Sequence, residues 1–184
     1  PFDSSSGTAM YFSGSSDSVK TTASSDFAFG TGDFTIEGWW YFNTISSTGD
    51  AVIVDLRPAN DNTTTAFSWS TNTNSGLKLY RNGSSALGGS LSTETWHHLA
   101  LVRSSGTVTA YIDGVPTSDT LDWSSVDLTT NGTPRLGAAE GGTSVNLDGY
   151  VFDVRITKGT ARYTSNFSSS LPSAAFELNP VYIG

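Results

Sequence analysis

The stretch "WHHLALVRSSGTVTAYIDGV", residues 96–115, decides the fold. In its first half Leu99 and Leu101 fall on one side of an extended chain, and Trp96, Ala100 and Val102 fall on the other. Successive side chains of a strand point to opposite faces, so apolar residues at both parities describe a central strand covered on both sides. In the second half Val108, Ala110 and Ile112 share one face, while Thr107, Thr109 and Tyr111 share the other. That strand reads as half solvated. Asp113-Gly114 closes the stretch with residues that accept the positive φ values of a tight hairpin turn, and Asn82-Gly83 is a second turn of the same kind.

Working outward, strand signals recur and helical periodicity is scarce. Extended runs lie at 8–14, 18–22, 33–43, 51–57, 65–71, 77–84, 133–138 and 147–159. Short strands with turn residues every eight to twelve positions predict an all-β sandwich or barrel. The 184 residues suffice for one domain with a sizeable core. The opening "PFDSSSG" has no Met and reads as part of a longer protein.

Composition narrows the function classes. A net charge of -8 with nine Lys and Arg argues against nucleic acid and anionic membranes, which require clustered cations. No apolar run is long enough for a membrane span. The chain has no cysteine, so disulfides and thiol chemistry are absent, and a bacterial or viral source is favoured over a eukaryotic secreted one.

Three blocks in order, "FGTGDFTIEGWWYF" (29–42), "TWHHLALVRSSGTVTAYIDGV" (95–115) and "LDGYVFDVRITKGTARYTSNF" (147–167), resemble the laminin-G-like, concanavalin A-like lectin/glucanase superfamily. The resemblance covers roughly residues 8–172. It implies one jelly-roll domain, a sandwich of two antiparallel sheets, over 1–184. The last block is most similar to copies in bacteriophage tail-associated and bacterial surface proteins, which implies an extracellular place on a virion or cell surface. The fold hosts lectins, hydrolases and adhesive modules alike, so function must come from the site.

Glucanases of this superfamily resemble one another in an E-x-D-x-x-E strand, and none occurs here. The four glutamates, Glu37, Glu94, Glu140 and Glu177, have no acidic residue two positions away. A glycosidase needs two carboxylates flanking one bond, so the expectation is a non-enzymatic domain, with Glu37 a solvated or hydrogen-bonded strand residue. No G-x-S-x-G elbow is present. Adjacent His97 and His98 point to opposite faces and cannot share a zinc; they read as one packed and one surface imidazole.

Calcium is the candidate cofactor. The resemblance implies a structural calcium held by an Asp in a C-terminal D-x-V-R segment, and "DVR" at 153–155 places Asp153 in a similar setting without the intervening residue. The alternative is an Asp153 carboxylate paired with Arg155 or capping backbone N–H groups. Asp119, Asp122, Asp127, Asn146 and Asp148 are further oxygen donors or a solvated rim.

Glycan binding needs an aromatic platform beside short polar side chains. Trp96 and one of Trp39 and Trp40 read as core. Trp123, in the loop-like "TLDWSSVDL", is the leading platform candidate; Trp69 and Tyr80 follow, with Asn82 beside Tyr80, and partial core packing is the competing reading of each aromatic. The expected partner is a cell-surface polysaccharide or other glycan, and the rival is contact with other virion or surface proteins. Sequons at Asn62, Asn82, Asn131 and Asn166 arise easily in a chain so rich in Asn, Ser and Thr.

Overall fold

The structure, a computed structural model, describes residues 8–15, 17–58, 63–130, 133–139 and 146–176. Glu140 and Glu177 and the sequons at Asn62 and Asn131 lie outside the described residues.

Two six-stranded antiparallel sheets face each other. The first has the order β1 (Met10–Ser13), β12 (Asp148–Lys158), β3 (Phe34–Thr44), β8 (Trp96–Ser104), β9 (Thr107–Ile112) and β10 (Val115–Asp122). The second has β2 (Val19–Lys20), β11 (Arg135–Leu136), β4 (Val52–Asp55), β5 (Ser68–Thr71), β6 (Leu77–Tyr80) and β7 (Ser84–Gly88). Among the described residues, helix is confined to two 3₁₀ turns, Ser25–Phe27 and Ser168–Ser170. None of the helices is long and apolar enough to cross a membrane.

The pleat fills the space between the sheets. Phe34, Ile36, Trp40 and Phe42 of β3 and Leu99 and Leu101 of β8 meet Phe67, Trp69, Leu77 and Leu79 of the second sheet in one buried cluster. Trp40 and Trp69 touch edge to face at 5.9 Å between centroids. The opposite parity of β8 carries a second, smaller cluster. Ala100 and Val102 pack with Tyr111 and Phe167 under the segment after β12. This is the double coverage that residues 96–104 announce.

That segment lies across the outer face of the first sheet. Thr35 Oγ1 donates to Thr160 O at 2.9 Å, and Phe167 N–H donates to Gly114 O at 2.9 Å. Tyr163 and Phe167 stack with centroids 3.6 Å apart. Asp113 and Gly114 both have positive φ, as the turn requires, and a Cβ on Gly114 would stand 2.5 Å from Ser168 N. The glycine therefore serves both the turn and the segment above it.

β12 is irregular at the position where the motif is short. Its pairing with β3 slips between Phe152 and Arg155, and Asp153 takes φ +54°. Gly38 opposes this bulge, where a Cβ would come within 3.1 Å of Val154 Cα and the Trp40 ring.

β7 and β10, from "SSALG" and "VPTSDTLD", are the return strands of the Asn82-Gly83 and Asp113-Gly114 turns. Each is the last strand of its sheet, the two lie against each other, and most of their residues are exposed or partly exposed. An end strand is where Pro116, which has no N–H to donate, is tolerated. The loop-like reading of "TLDWSSVDL" is corrected at its start, where Thr120–Asp122 belong to β10.

Candidate functional site

Outward-facing residues of the second sheet gather around one opening. Phe67, Trp69, Leu77 and Leu79 point into the core, so alternation turns Ser68 and Ser70 of β5 and Lys78 and Tyr80 of β6 outward. With Asp50, Val52, Arg57 and Ala139 they line a cavity of about 320 Å³. This lies at the small end of ligand pockets, the size of a short oligosaccharide segment rather than a large cofactor.

Its charges come in matched pairs. Arg57 forks onto Asp55, Nε donating to Oδ1 at 2.9 Å and Nη2 to Oδ2 at 3.1 Å, with both residues buried. The Arg57 backbone N–H adds a third bond to Oδ1 at 3.0 Å. Lys78 pairs with Asp50. The Arg57 guanidinium lies 5.2 Å from the centroid of the Tyr80 ring, a cation–π contact that fixes the ring. Two serine hydroxyls, two neutralised ion pairs and one phenol make a wall that can exchange hydrogen bonds with a polar, uncharged ligand.

Of the expected site residues, Tyr80 alone lines this cavity. Asn82 sits exposed at its turn, φ +48°, its N–H bonded to Thr63 O. Trp123 is corrected from platform to core. It is 6% exposed, packs edge-on to Phe67 at 5.4 Å and lies beneath the Arg81 guanidinium. The reason is that β10 continues its alternation inward from Leu121 to Trp123, with Val126 and Leu128 completing the patch. The buried Arg103 guanidinium fixes that turn by donating to Trp123 O at 2.7 Å, Val126 O at 2.9 Å and Gly30 O at 3.1 Å. Trp69 is fully buried, on the core-facing parity that it shares with Phe67. Trp96 is corrected the other way: it is half-buried on the outer face of the first sheet, against Tyr41.

The histidines depart from expectation, whereas Glu37 takes one of its two expected settings, that of a hydrogen-bonded strand residue. Both imidazoles are buried. His97 Nδ1 lies 2.7 Å from Asp113 Oδ2, and His98 N–H donates to Asp113 Oδ1 at 2.9 Å. Burial opposes ionisation of Asp113, yet these bonds hold its carboxyl below the ordinary range. Glu37 is fully buried and hydrogen-bonded. Its Oε1 accepts from Arg155 Nη2 at 2.7 Å and Nε at 3.0 Å, its Oε2 from the Tyr163 hydroxyl at 2.7 Å, and His98 Nε2 stands 3.4 Å away. Burial alone would raise the Glu37 pKa; the partners lower it on balance. Burial and the Glu37 bond push the Tyr163 phenol well up.

Asp153 lies on the other sheet from the cavity. Its Oδ2 accepts the Phe176 N–H at 2.7 Å, and Arg155 turns to Glu37 instead of to it. Among the described residues no three acidic or histidine side chains converge as a cation site. Calcium takes six to eight oxygens, so the side chains at Asp153 do not by themselves fit it. Asp122 caps Ser124 N–H, and Asp148 accepts from Asn43 and Thr44.

No curated protein matches the chain. Among solved structures, a heptameric pentraxin from Limulus polyphemus superposes with a TM-score of 0.59 at 14% identity, covering 79% of this chain and 73% of that one. A Bacteroides ovatus protein to which carbohydrate binding has been ascribed gives 0.68 at 16%, covering 90% and 47%. Domains LG4-5 of the mouse laminin α1 chain give 0.61 at 12%, covering 93% and 47%. The chain thus spans about half the length of the last two, and identities this low establish the fold alone. The two facing sheets agree with a family model that matches residues 13–162, and the chain belongs to the concanavalin A-like lectin/glucanases superfamily.

Proposed function

We propose that the domain is a non-catalytic, extracellular carbohydrate-binding module that takes a short stretch of neutral glycan in the cavity of the second sheet. The observation that carries this reading is the cavity wall itself: Tyr80, Ser68 and Ser70 beside the Arg57–Asp55 and Lys78–Asp50 pairs. Sugars present C–H faces to aromatic rings and hydroxyls to small polar and paired charged groups, which is the chemistry assembled there. The superfamily and the Bacteroides ovatus likeness support the ligand class. The cavity carboxylate Asp50 is held by Lys78, and the buried Asp55 by Arg57, which supports binding over glycosidic cleavage, where an unengaged acid and base must flank one bond. Placement on a virion tail or cell surface rests on the resemblance of residues 147–167.

The test is a glycan array probed with multimerised domain, since a single shallow site binds weakly and gains from avidity. Selective binding that Tyr80→Ala weakens is the expected result; a multimer that ignores every glycan removes the reading and leaves a structural module contacting other proteins. Calcium at Asp153 stands as a separate proposal. Main-chain carbonyls would have to complete its shell, and a melting temperature that millimolar calcium raises in the parent but not in Asp153→Ala is its signature.

A further inference from the structure

We propose a second glycan-binding strip on the opposite side of the molecule, formed by Tyr11, Tyr150, Tyr41 and Trp96 on the outer face of the first sheet. It takes a single extended polysaccharide chain.

The four rings come from four adjacent strands at one register. Tyr11 pairs with Tyr150, Tyr150 with Tyr41, and Tyr41 with Trp96. Cross-strand partners point to the same face, so the rings form a row perpendicular to the strands. Successive centroids are 5.1, 5.8 and 5.6 Å apart. The row is about 15 Å long, three inter-strand spacings. Tyr11 is 56% exposed and Tyr150 37%, two of the few large apolar side chains that the surface leaves open. The segment after β12 covers this face over Thr35 and Glu37. Tyr41, two positions beyond Trp39, is left half-covered.

The occupant follows from area, shape and chemistry. At about 150–250 Å² per aromatic side chain, the open parts of Tyr11 and Tyr150 amount to roughly 200 Å². A stable protein interface needs about 800 Å² from each partner, so the row is too narrow to hold a second protein by itself. The rings are mutually tilted by 43°, 77° and 59°, which rules out a flat platform for a crystalline surface and suits one chain whose sugars turn along its length. One strand step along, Ser13, Asp148 and Asn43 run beside the rings. The Asp148 carboxylate accepts from Asn43 Nδ2 at 2.8 Å and Thr44 Oγ1 at 2.9 Å. A carboxylate has about four acceptor positions, which leaves capacity for sugar hydroxyls. The strip takes only its ligand class from the proposed function, and because it faces away from the cavity the domain would hold two chains at once.

The experiment is affinity electrophoresis in gels cast separately with mixed-linkage β-glucan, xylan, linear arabinan and mannan. The proteins are the parent chain, Tyr11→Ala/Tyr150→Ala, Tyr11→Phe/Tyr150→Phe, the single variant Tyr11→Ser and Tyr80→Ala. Melting temperatures verify folding, and Tyr11→Ser guards against misfolding because that side chain is more than half exposed on an edge strand. For at least one polysaccharide, the paired alanines are expected to weaken retardation roughly tenfold, the phenylalanines to preserve it and Tyr11→Ser to weaken it by less. Retardation unchanged in the alanine pair overturns the strip, as does loss confined to Tyr80→Ala, which leaves the cavity reading intact. Loss confined to Tyr11 and Tyr150 keeps the strip and removes the cavity. A parent chain that no polysaccharide retards removes both. Conversion of a sedimenting dimer to monomer by the alanine pair, with retardation unchanged, replaces the strip with a protein interface.

Discussion

The Tyr163 hydroxyl donates to Glu37 Oε2 at 2.7 Å across 126 residues of chain, fastening the segment after β12 to the centre of the first sheet. Glu37 is fully buried, and its other oxygen is held by Arg155. A hydrogen bond to a charged group contributes about 1.5–3 kcal/mol. Tyr163→Phe should lower stability by an amount in that range while preserving the stack on Phe167. Glu37→Ala strands the Arg155 guanidinium and should cost about 3–5 kcal/mol. Chemical denaturation of both variants checks the order; equal losses would show that the phenol bond carries the whole anchor.

The same carboxylate sets an acid limb. The Glu37 pKa lies below its ordinary value of 4.5 in the folded chain. Between the two values the unfolded chain holds more protons, so stability rises with pH. The contribution is complete above 4.5 and is lost as pH falls through the folded value; Asp113 acts with the same sign below its ordinary 3.8. Melting temperatures measured from about pH 6 downward should fall steeply in the parent and less steeply in Glu37→Gln. Parallel curves would assign the acid limb to other carboxylates.

Trp123 and Tyr80 provide a contrast between core and cavity. Truncating a buried Trp costs about 3–5 kcal/mol. Trp123→Ala should therefore lower the melting temperature sharply, and it also removes the ring beneath Arg81. Tyr80→Ala should leave melting nearly unchanged and weaken glycan binding by up to about tenfold, one stacking contact. Calorimetry and array binding on the same preparations separate the two; a Trp123→Ala protein that melts like the parent would return that ring to the surface.

What the sequence revealed and what it withheld follow from range. Alternation is local, so Leu99 and Leu101 against Ala100 and Val102 were legible, as were the Asp113-Gly114 and Asn82-Gly83 turns. Trp123 was misread because the polar composition of β10 masks the Leu121–Trp123 alternation. The Phe67–Trp69 face was legible, but which side of the sheet it would meet was not. Arg57 and Asp55 stand two apart in the sequence, the spacing of one strand face, yet their meeting with Tyr80 depends on the pairing of β4, β5 and β6. The row Tyr11–Tyr150–Tyr41–Trp96 joins positions up to 139 residues apart through the register of three strand pairs. No local pattern encodes that register. Glu37 reads from the sequence as a solvated or a hydrogen-bonded strand residue, and the choice between the two was not legible because nothing near it in sequence announces Arg155 or Tyr163.

The two turn glycines give a last prediction, in which identical substitutions should differ. Gly83 has φ +115° and Gly114 φ +77°, so alanine is strained at both, by roughly 1–2 kcal/mol. At Gly83 an added Cβ meets nothing within 4 Å. At Gly114 it meets Ser168 N at 2.5 Å and Phe167 C at 2.7 Å, backbone atoms of the segment that Tyr163 anchors. The Phe167 N–H also donates to Gly114 O, so the segment cannot withdraw without breaking that bond. Gly114→Ala should consequently cost clearly more than Gly83→Ala. The excess should appear as local opening: faster hydrogen exchange at Phe167 and Tyr111, and earlier proteolytic cleavage after β12, before the sandwich itself unfolds. Equal losses in the two variants, with exchange at Phe167 unchanged, would mean that the turn strain alone is felt and that the segment yields to the methyl group without loosening.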